Sequence, residues 1–176
     1  MRVLTTAIAF ALAGSTPAFA AMTITSHDLA PGGSIPAAHI HQRCGGQNIS
    51  PDLSWSGAPA AAKSLVLSVI DLDVKPALWS HWIVVDLPTS AKDLPRAAST
   101  LPPGARAVIS NFGEAAYAGP CPPKGSGPHR YEFTIWAMPT AKTAVSADQP
   151  ANELRAKLSA AAIDHASFTS TVTAKP

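Results

Sequence analysis

Arg130-Tyr131-Glu132-Phe133-Thr134-Ile135-Trp136-Ala137 carries the period from which the fold class follows. Tyr131, Phe133, Ile135 and Ala137 fall on one side and Arg130, Glu132, Thr134 and Trp136 on the other, the two-residue period of a β-strand. Ser64-Leu65-Val66-Leu67-Ser68-Val69-Ile70 reads as a second strand, rich in apolar and β-branched residues. His81-Trp82-Ile83-Val84-Val85-Asp86-Leu87 reads as a third, stopped by Pro88. Weaker strands are expected over 22–26, 53–55, 107–111 and 168–172. One helix is expected, from Ala151 to Ile163, with Leu154, Leu158 and Ala161 at helical spacing and Pro150 suited to its first turn. Many strands, one or two helices and long Pro/Gly connections specify a mainly β (α+β) domain. No repeat or linker divides the chain, so residues 21–176 are read as one domain.

Residues 1–20 are read separately. A basic start at Met1-Arg2, an apolar run from Ala7 to Ala13 and the segment Pro17-Ala18-Phe19-Ala20-Ala21 follow the order of a secretory signal peptide, with cleavage expected after Ala20. That predicts a periplasmic or secreted protein. No later stretch reaches the roughly 20 apolar residues a spanning helix needs, so no integral membrane segment is expected after cleavage. The formal net charge of the 176-residue chain is +2, and one of those charges, Arg2, leaves with the leader. Without a Lys/Arg run there is no electrostatic case for nucleic acid or for an anionic membrane. An anion would have to be held by a local site. Cys44 and Cys121 are the only cysteines. In an oxidising compartment they admit a disulfide worth roughly 4–5 kcal/mol in the chain-entropy model, with two unpaired thiols as the alternative.

The polar residues at strand ends suggest where such a site lies. By alternation Asp71 shares a side with Leu65, Leu67 and Val69; His81 shares one with Ile83 and Val85; His129 shares one with Tyr131, Phe133 and Ile135. A few polar groups at the rim of an apolar core are how small-ligand pockets are built. A histidine beside a carboxylate is more easily protonated, so His81 and His129 would offer N–H donors to an anion. The amides of Gly119 and Cys121 would add donors, Pro120, Pro122 and Pro123 a stiff rim, Tyr131 a phenolic O–H, and Trp79 or Trp82 an apolar wall. Each residue also has a plainer role. Histidines at strand ends are commonly structural, Asp71 can cap a turn with Asp73, residues 119–128 can be a simple connection, and both tryptophans suit a core. Two further chemistries stay open. The His/Asp cluster with Ser80 or Ser126 would suit a hydrolase, although the chain has no Gly-x-Ser-x-Gly elbow. His39-x-His41, with His81, His129 and Asp71, contains metal-ligand types at no diagnostic spacing, and Pro36 places the pair on a loop.

The same residues carry a family resemblance. Asn48-Ile49-Ser50-Pro51 with Leu53 and Trp55, Asp71-x-Asp73, Trp79-x-His81-Trp82-Ile83-Val84, Gly119-Pro120-Cys121-Pro122-Pro123 and His129-Arg130-Tyr131-x-Phe133 occur in order over most of the chain. In these motifs the chain resembles the phosphatidylethanolamine-binding protein family, in its bacterial Raf-kinase-inhibitor-like branch. The resemblance implies a central antiparallel sheet, a smaller flanking sheet and short helices. It also implies a pocket for phosphate-type head groups formed by Asp71, His81, Gly119, Cys121, His129 and Tyr131, with no cofactor. The implied function is a non-enzymatic binding protein for a small anionic ligand, with inhibition of a protease or kinase as an alternative and room for a homodimer. The family's usual Asp-Pro-Asp-x-Pro is here Asp71-Leu72-Asp73-Val74-Lys75-Pro76, an altered turn expected to bring Lys75 near the rim. Animal members place a C-terminal helix beside the pocket; the end at Pro176 implies a more open one.

Overall fold

The computed structural model describes residues 21–147 and 149–174. The leader expected over 1–20 lies outside the described residues. Eight strands and one helix follow in order: β1 (Thr23–Thr25), β2 (Leu53–Ser56), β3 (Ser64–Asp71), β4 (Trp79–Leu87), β5 (Asp93–Leu94), β6 (Arg106–Val108), β7 (Pro128–Met138), α1 (Ala151–Ala161) and β8 (Asp164–Thr173). They build a five-stranded antiparallel sheet in the order β6-β4-β3-β7-β8 and a smaller one in the order β1-β2-β5. This is the mainly β architecture expected from the alternating stretches.

β3 lies at the centre and is buried along its whole length. Its two sides pack against different things. Leu65, Leu67 and Val69 join Phe133 and Ile135 of β7 and meet Ile24, Leu53 and Trp55 of the small sheet. Val66 joins Ile83, Val85 and Trp136 and packs under Leu154 and Leu158 of α1. Both sides of the large sheet are therefore covered, which explains why β3 reads as a continuous apolar run while β7 still alternates. Glu132, on the helix side of β7, receives a bidentate bond from Arg155 of α1 at 2.7 and 2.9 Å.

The differences from expectation have local causes. α1 ends at Ala161 rather than Ile163, because the Ile163 amide already bonds the Ala137 carbonyl of β7. Its buried stripe is Ala151, Leu154 and Leu158, with Ala161 left exposed. β8 begins at Asp164, well before the expected 168, since β7 pairs with it continuously from Pro128 to Ala137. Its outer edge is covered by the 32–35 segment, where Gly32 and Ile35 donate to the Thr169 and Thr171 carbonyls. The strand expected over 107–111 stops at Val108; Asn111 instead accepts from the amide and hydroxyl of Ser80. β5, two residues long, is too short for any periodicity to reveal.

Cys44 and Cys121 form a disulfide across 77 residues of sequence, with Cα atoms 5.4 Å apart. A loop of that length corresponds to about 4–5 kcal/mol of chain entropy. Reducing the folded protein is expected to lower Tm by on the order of 10 °C, read by thermal melts with and without a dithiol. An unchanged Tm would mean that the reduced unfolded chain is already held compact.

Candidate functional site

β3 and β7 pair over eight successive positions, ending with Asp71 opposite Tyr131. This brings the Asp71-x-Asp73 and His129-Arg130-Tyr131 motifs together, and their side chains interlock. His129 Nδ1 lies 2.7 Å from Asp71 Oδ2, with both residues buried. As the carboxylate can only accept from the ring, Nδ1 carries the proton and donates. Asp71 Oδ1 accepts from the Asp73 amide at 2.9 Å. One step outward, Arg130 donates to Asp73 through Nε at 2.9 Å and Nη2 at 2.8 Å, and its own amide bonds the same carboxylate at 2.8 Å. The guanidinium beside it is the main cause that holds the Asp73 carboxyl down at about 2.

His81 reaches this group through an irregularity. Strict alternation puts His81 on the side of Ile83 and Val85, and those two pack under α1, away from Asp71. The ladder between β3 and β4 instead shifts: Val69 pairs with Trp82 but Ile70 with Ser80. His81 is the extra residue of a β-bulge, which re-aims its side chain to the side of Asp71 and Tyr131. Its ring meets Tyr131 edge-on, with centroids 5.1 Å apart.

A cavity of about 250 Å³ opens over these groups. Asp71, His81 and Tyr131 form its polar lining, Val74, Trp79 and Phe112 one wall, and Cys121, Pro122 and Pro123 the other. His129 stands behind Asp71 and is outside the lining, as is Gly119. In the altered turn, Val74 takes the position at the cavity expected for Lys75, whose side chain is exposed. Trp79 is 38% exposed at the mouth rather than in the core, whereas Trp82 is buried. Phe112, unremarked in the sequence, connects the wall, touching Trp79, His81 and the His41 ring at centroid distances of 6.2, 4.9 and 5.2 Å. Only its aromatic character could have signalled it.

Gly119 acts differently from expectation. Its amide donates to Asn48 Oδ1 at 2.7 Å and is thereby engaged within the protein. It is glycine because the chain passes very close to the 39–41 backbone; a Cβ there would sit 2.3 Å from the His39 carbonyl oxygen. Asn48, at φ 57°, holds this crossing, and Tyr117 adds an O–H bond to the same His39 carbonyl at 2.8 Å. The preceding residue, Ala118, accepts from His81 Nδ1 at 2.8 Å and donates its own amide to the His81 carbonyl at 3.0 Å.

That bond assigns the His81 tautomer. A carbonyl only accepts, so Nδ1 bears the proton and Nε2 of the neutral ring is an acceptor. Burial dominates its titration and pushes His81 down to about 4, with the Ala118 carbonyl and the Asp71 charge opposing and His41 adding to the depression. The protonated His81 expected from a carboxylate neighbour is therefore overturned: desolvation outweighs the neighbour. Burial, then the Asp71 charge, raise the Tyr131 hydroxyl well above the ordinary phenol range. The same hydroxyl is enclosed, faces the Asp71 carboxylate, and makes no hydrogen bond of normal geometry among the described residues.

The other sequence candidates lie elsewhere. His39 donates from Nδ1 to the Ile49 carbonyl at 2.8 Å, and His41 Nδ1 accepts from the Arg43 amide at 3.1 Å, in the loop that Pro36 implied, on short 3-10 turns. No group of three or more His, Cys, Asp or Glu among the described residues could hold a metal ion. Ser80 Oγ bonds Asn111 and Ser126 Oγ bonds the Pro123 carbonyl; neither hydroxyl meets a histidine.

An antiparallel five-stranded sheet thus has a small sheet on one side, a helix on the other and, at one end, a largely apolar cavity with a few polar groups. The family model for phosphatidylethanolamine-binding protein matches residues 25–173, and the chain belongs to that family. The UPF0098 protein YbcL of Escherichia coli K12 is 38% identical over 137 residues, covering 73% of this chain and 75% of that protein. A Mycobacterium tuberculosis protein named as lipoprotein LppC is 40% identical over 129 residues, covering 72% of this chain and 61% of that one. The crystal structure of E. coli YbcL superposes with a TM-score of 0.80 at 34% identity, covering 89% of this chain and all of that one. That of the Chlamydia trachomatis homologue CT736 gives 0.71 at 33% identity, covering 86% and 97%.

The buried neutral His81 has a consequence for stability. An unfolded histidine takes up a proton near its ordinary 6.5, whereas His81 in the folded chain does so only near 4. The native state therefore loses stability as pH falls through that window. Tm is expected to fall from pH 7 to pH 4.5, and less steeply in His81→Gln. Equal slopes in the two proteins would contradict the assignment.

Proposed function

We propose that this chain is an exported, non-enzymatic binding protein whose cavity takes a small anionic or phosphorylated ligand, of the size of phosphate or phosphoethanolamine. The single observation that carries the reading is the enclosed Tyr131 hydroxyl, without a hydrogen bond of normal geometry among the described residues, beside Asp71 and His81 in an otherwise apolar cavity. An unpaired buried polar group costs about 1–3 kcal/mol, a cost that a ligand hydrogen bond removes. Tyr131 supplies an O–H, Cys121 a backbone amide, and His81 a ring nitrogen. Asp71 is aimed by its two protein donors, and His129 is a positioning residue that holds the carboxylate. Gly119 contributes by shaping the crossing that orients Ala118.

Export is supported by the charge and apolar order of residues 1–20 and by the lipoprotein name of the mycobacterial relative. Among the described residues no helix is long and apolar enough to cross a membrane. The family's own name supports a binder rather than a catalyst, and the bonding of Ser80 and Ser126 offers no activated nucleophile.

Phosphate or phosphoethanolamine at millimolar concentration is expected to raise Tm by several degrees, as any ligand of the native state alone must. Tyr131→Phe and His129→Ala are each expected to cut the shift sharply. A wild-type protein whose Tm does not move with either compound would sink the proposal.

A further inference from the structure

Among the described residues the cavity lining contains no lysine or arginine. Its charged group is Asp71, a carboxylate whose oxygens already accept from the Asp73 amide and from His129 Nδ1. Its ring is His81, whose Nδ1 proton is committed to the Ala118 carbonyl, which leaves a lone pair on Nε2. Asp71 and His81 Nε2 therefore accept, and the side-chain donors in the lining are the Tyr131 hydroxyl and the indole N–H of Trp79 at the mouth. Arg43 and Lys124 line a neighbouring groove of about 420 Å³ with Cys44 and Pro122. A fully deprotonated oxyanion entering here would face lone pairs with few protons to meet them.

We propose that the cavity selects an oxyanion that still carries a proton, such as the monoanion of a phosphate monoester, over one that carries none. The inference rests on the anion reading above and adds which anion. The ligand's own P–O–H donates to Asp71 or to His81 Nε2, while its charged oxygens accept from the Tyr131 hydroxyl and the Cys121 amide. One acceptor and both donors then meet their complements, and no proton need be taken from solvent. Sulfate, similar in shape but without a proton at neutral pH, would put its oxygens against the same lone pairs. A site built for a hydrogen-bond donor rejects the analogue that lacks it far more strongly than it rejects a change of size.

The groups that bear on His81 come from every surrounding element: Asp71 from β3, Tyr131 from β7, His41 from the preceding turn, and the Ala118 and Gly119 backbone. His129 acts on it through Asp71, and Arg130 is bound to Asp73 one step further out. None of these supplies a free cation to the cavity.

The test is calorimetry on the native protein with methyl phosphate, sulfate and ethanolamine as separate probes, at pH 6, 7 and 8. Methyl phosphate is expected to bind at pH 6 at least about tenfold more tightly than sulfate, as expected for a missing donor. With a second phosphate pKa near 6, its affinity is expected to fall about tenfold between pH 7 and 8 as the monoanion is depleted. Sulfate binding equal to that of methyl phosphate overturns the inference and leaves the anion reading standing. A flat methyl phosphate affinity from pH 6 to 8 does the same. Ethanolamine binding as tightly as methyl phosphate also overturns it, since the acceptors would then serve an amine. If no probe binds, the anion reading falls with it.

Discussion

The register of β3 against β7 is the constraint from which the site follows. Eight consecutive pairs carry Asp71 to a position opposite Tyr131, and the next residue along β7 toward its start but one, His129, then reaches the Asp71 carboxylate. A one-residue slip would turn Asp71 toward α1 and exchange every apolar side chain between the two packed faces. That slip is opposed from both ends. At the core end, Leu65, Leu67 and Val69 fit against the small sheet. At the open end, Leu72 donates to the Arg130 carbonyl and Asp73 grips Arg130, so pairing continues past the last ladder residue. The interlocked polar pairs add little stability where they are solvated; what they supply is register.

The second half of the cavity is a loop held from outside the sheet. Residues 117–121 cross the 39–41 backbone, and four contacts hold the crossing: Tyr117 on the His39 carbonyl, Asn48 on the Gly119 amide, the Pro120 carbonyl on the His41 amide, and the disulfide. Ala118 then faces His81 with both a donor and an acceptor, which sets the histidine tautomer from the backbone. Rigid backbone, rather than a charged partner, thus decides what His81 offers to the cavity.

How far the chain could be read before its structure was seen depended on regularity. β3 and β7 were legible because one is continuously apolar and the other alternates. The same alternation correctly put Asp71, His129 and Tyr131 on one side. It misplaced His81, because a bulge adds one residue that no period can reveal. Gly119 was recognisable as necessary, but its role was not: the close approach to His39 lies 80 residues away in the chain and uses its missing Cβ rather than its amide. Trp79 was legible from its motif as a wall or a core residue, whereas Phe112 carried no pattern at all, since the wall is assembled from separate segments of the chain. Charge was misjudged for a similar reason. Adjacency to a carboxylate can be guessed from motifs, whereas full burial of an imidazole emerges only when the layers close over it.

Taken together, the bulge, the Ala118 carbonyl and the apolar walls make His81 a neutral acceptor in a cavity whose one carboxylate is already oriented. The position of the ring proton decides what the cavity accepts. Long-range proton–nitrogen NMR of the histidine rings at pH 7 reads it directly in the unliganded protein. The prediction is a His81 ring protonated on Nδ1 alone, with Nε2 showing the shift of a bare lone-pair nitrogen. A His81 ring protonated on both nitrogens, or on Nε2 alone, would contradict it.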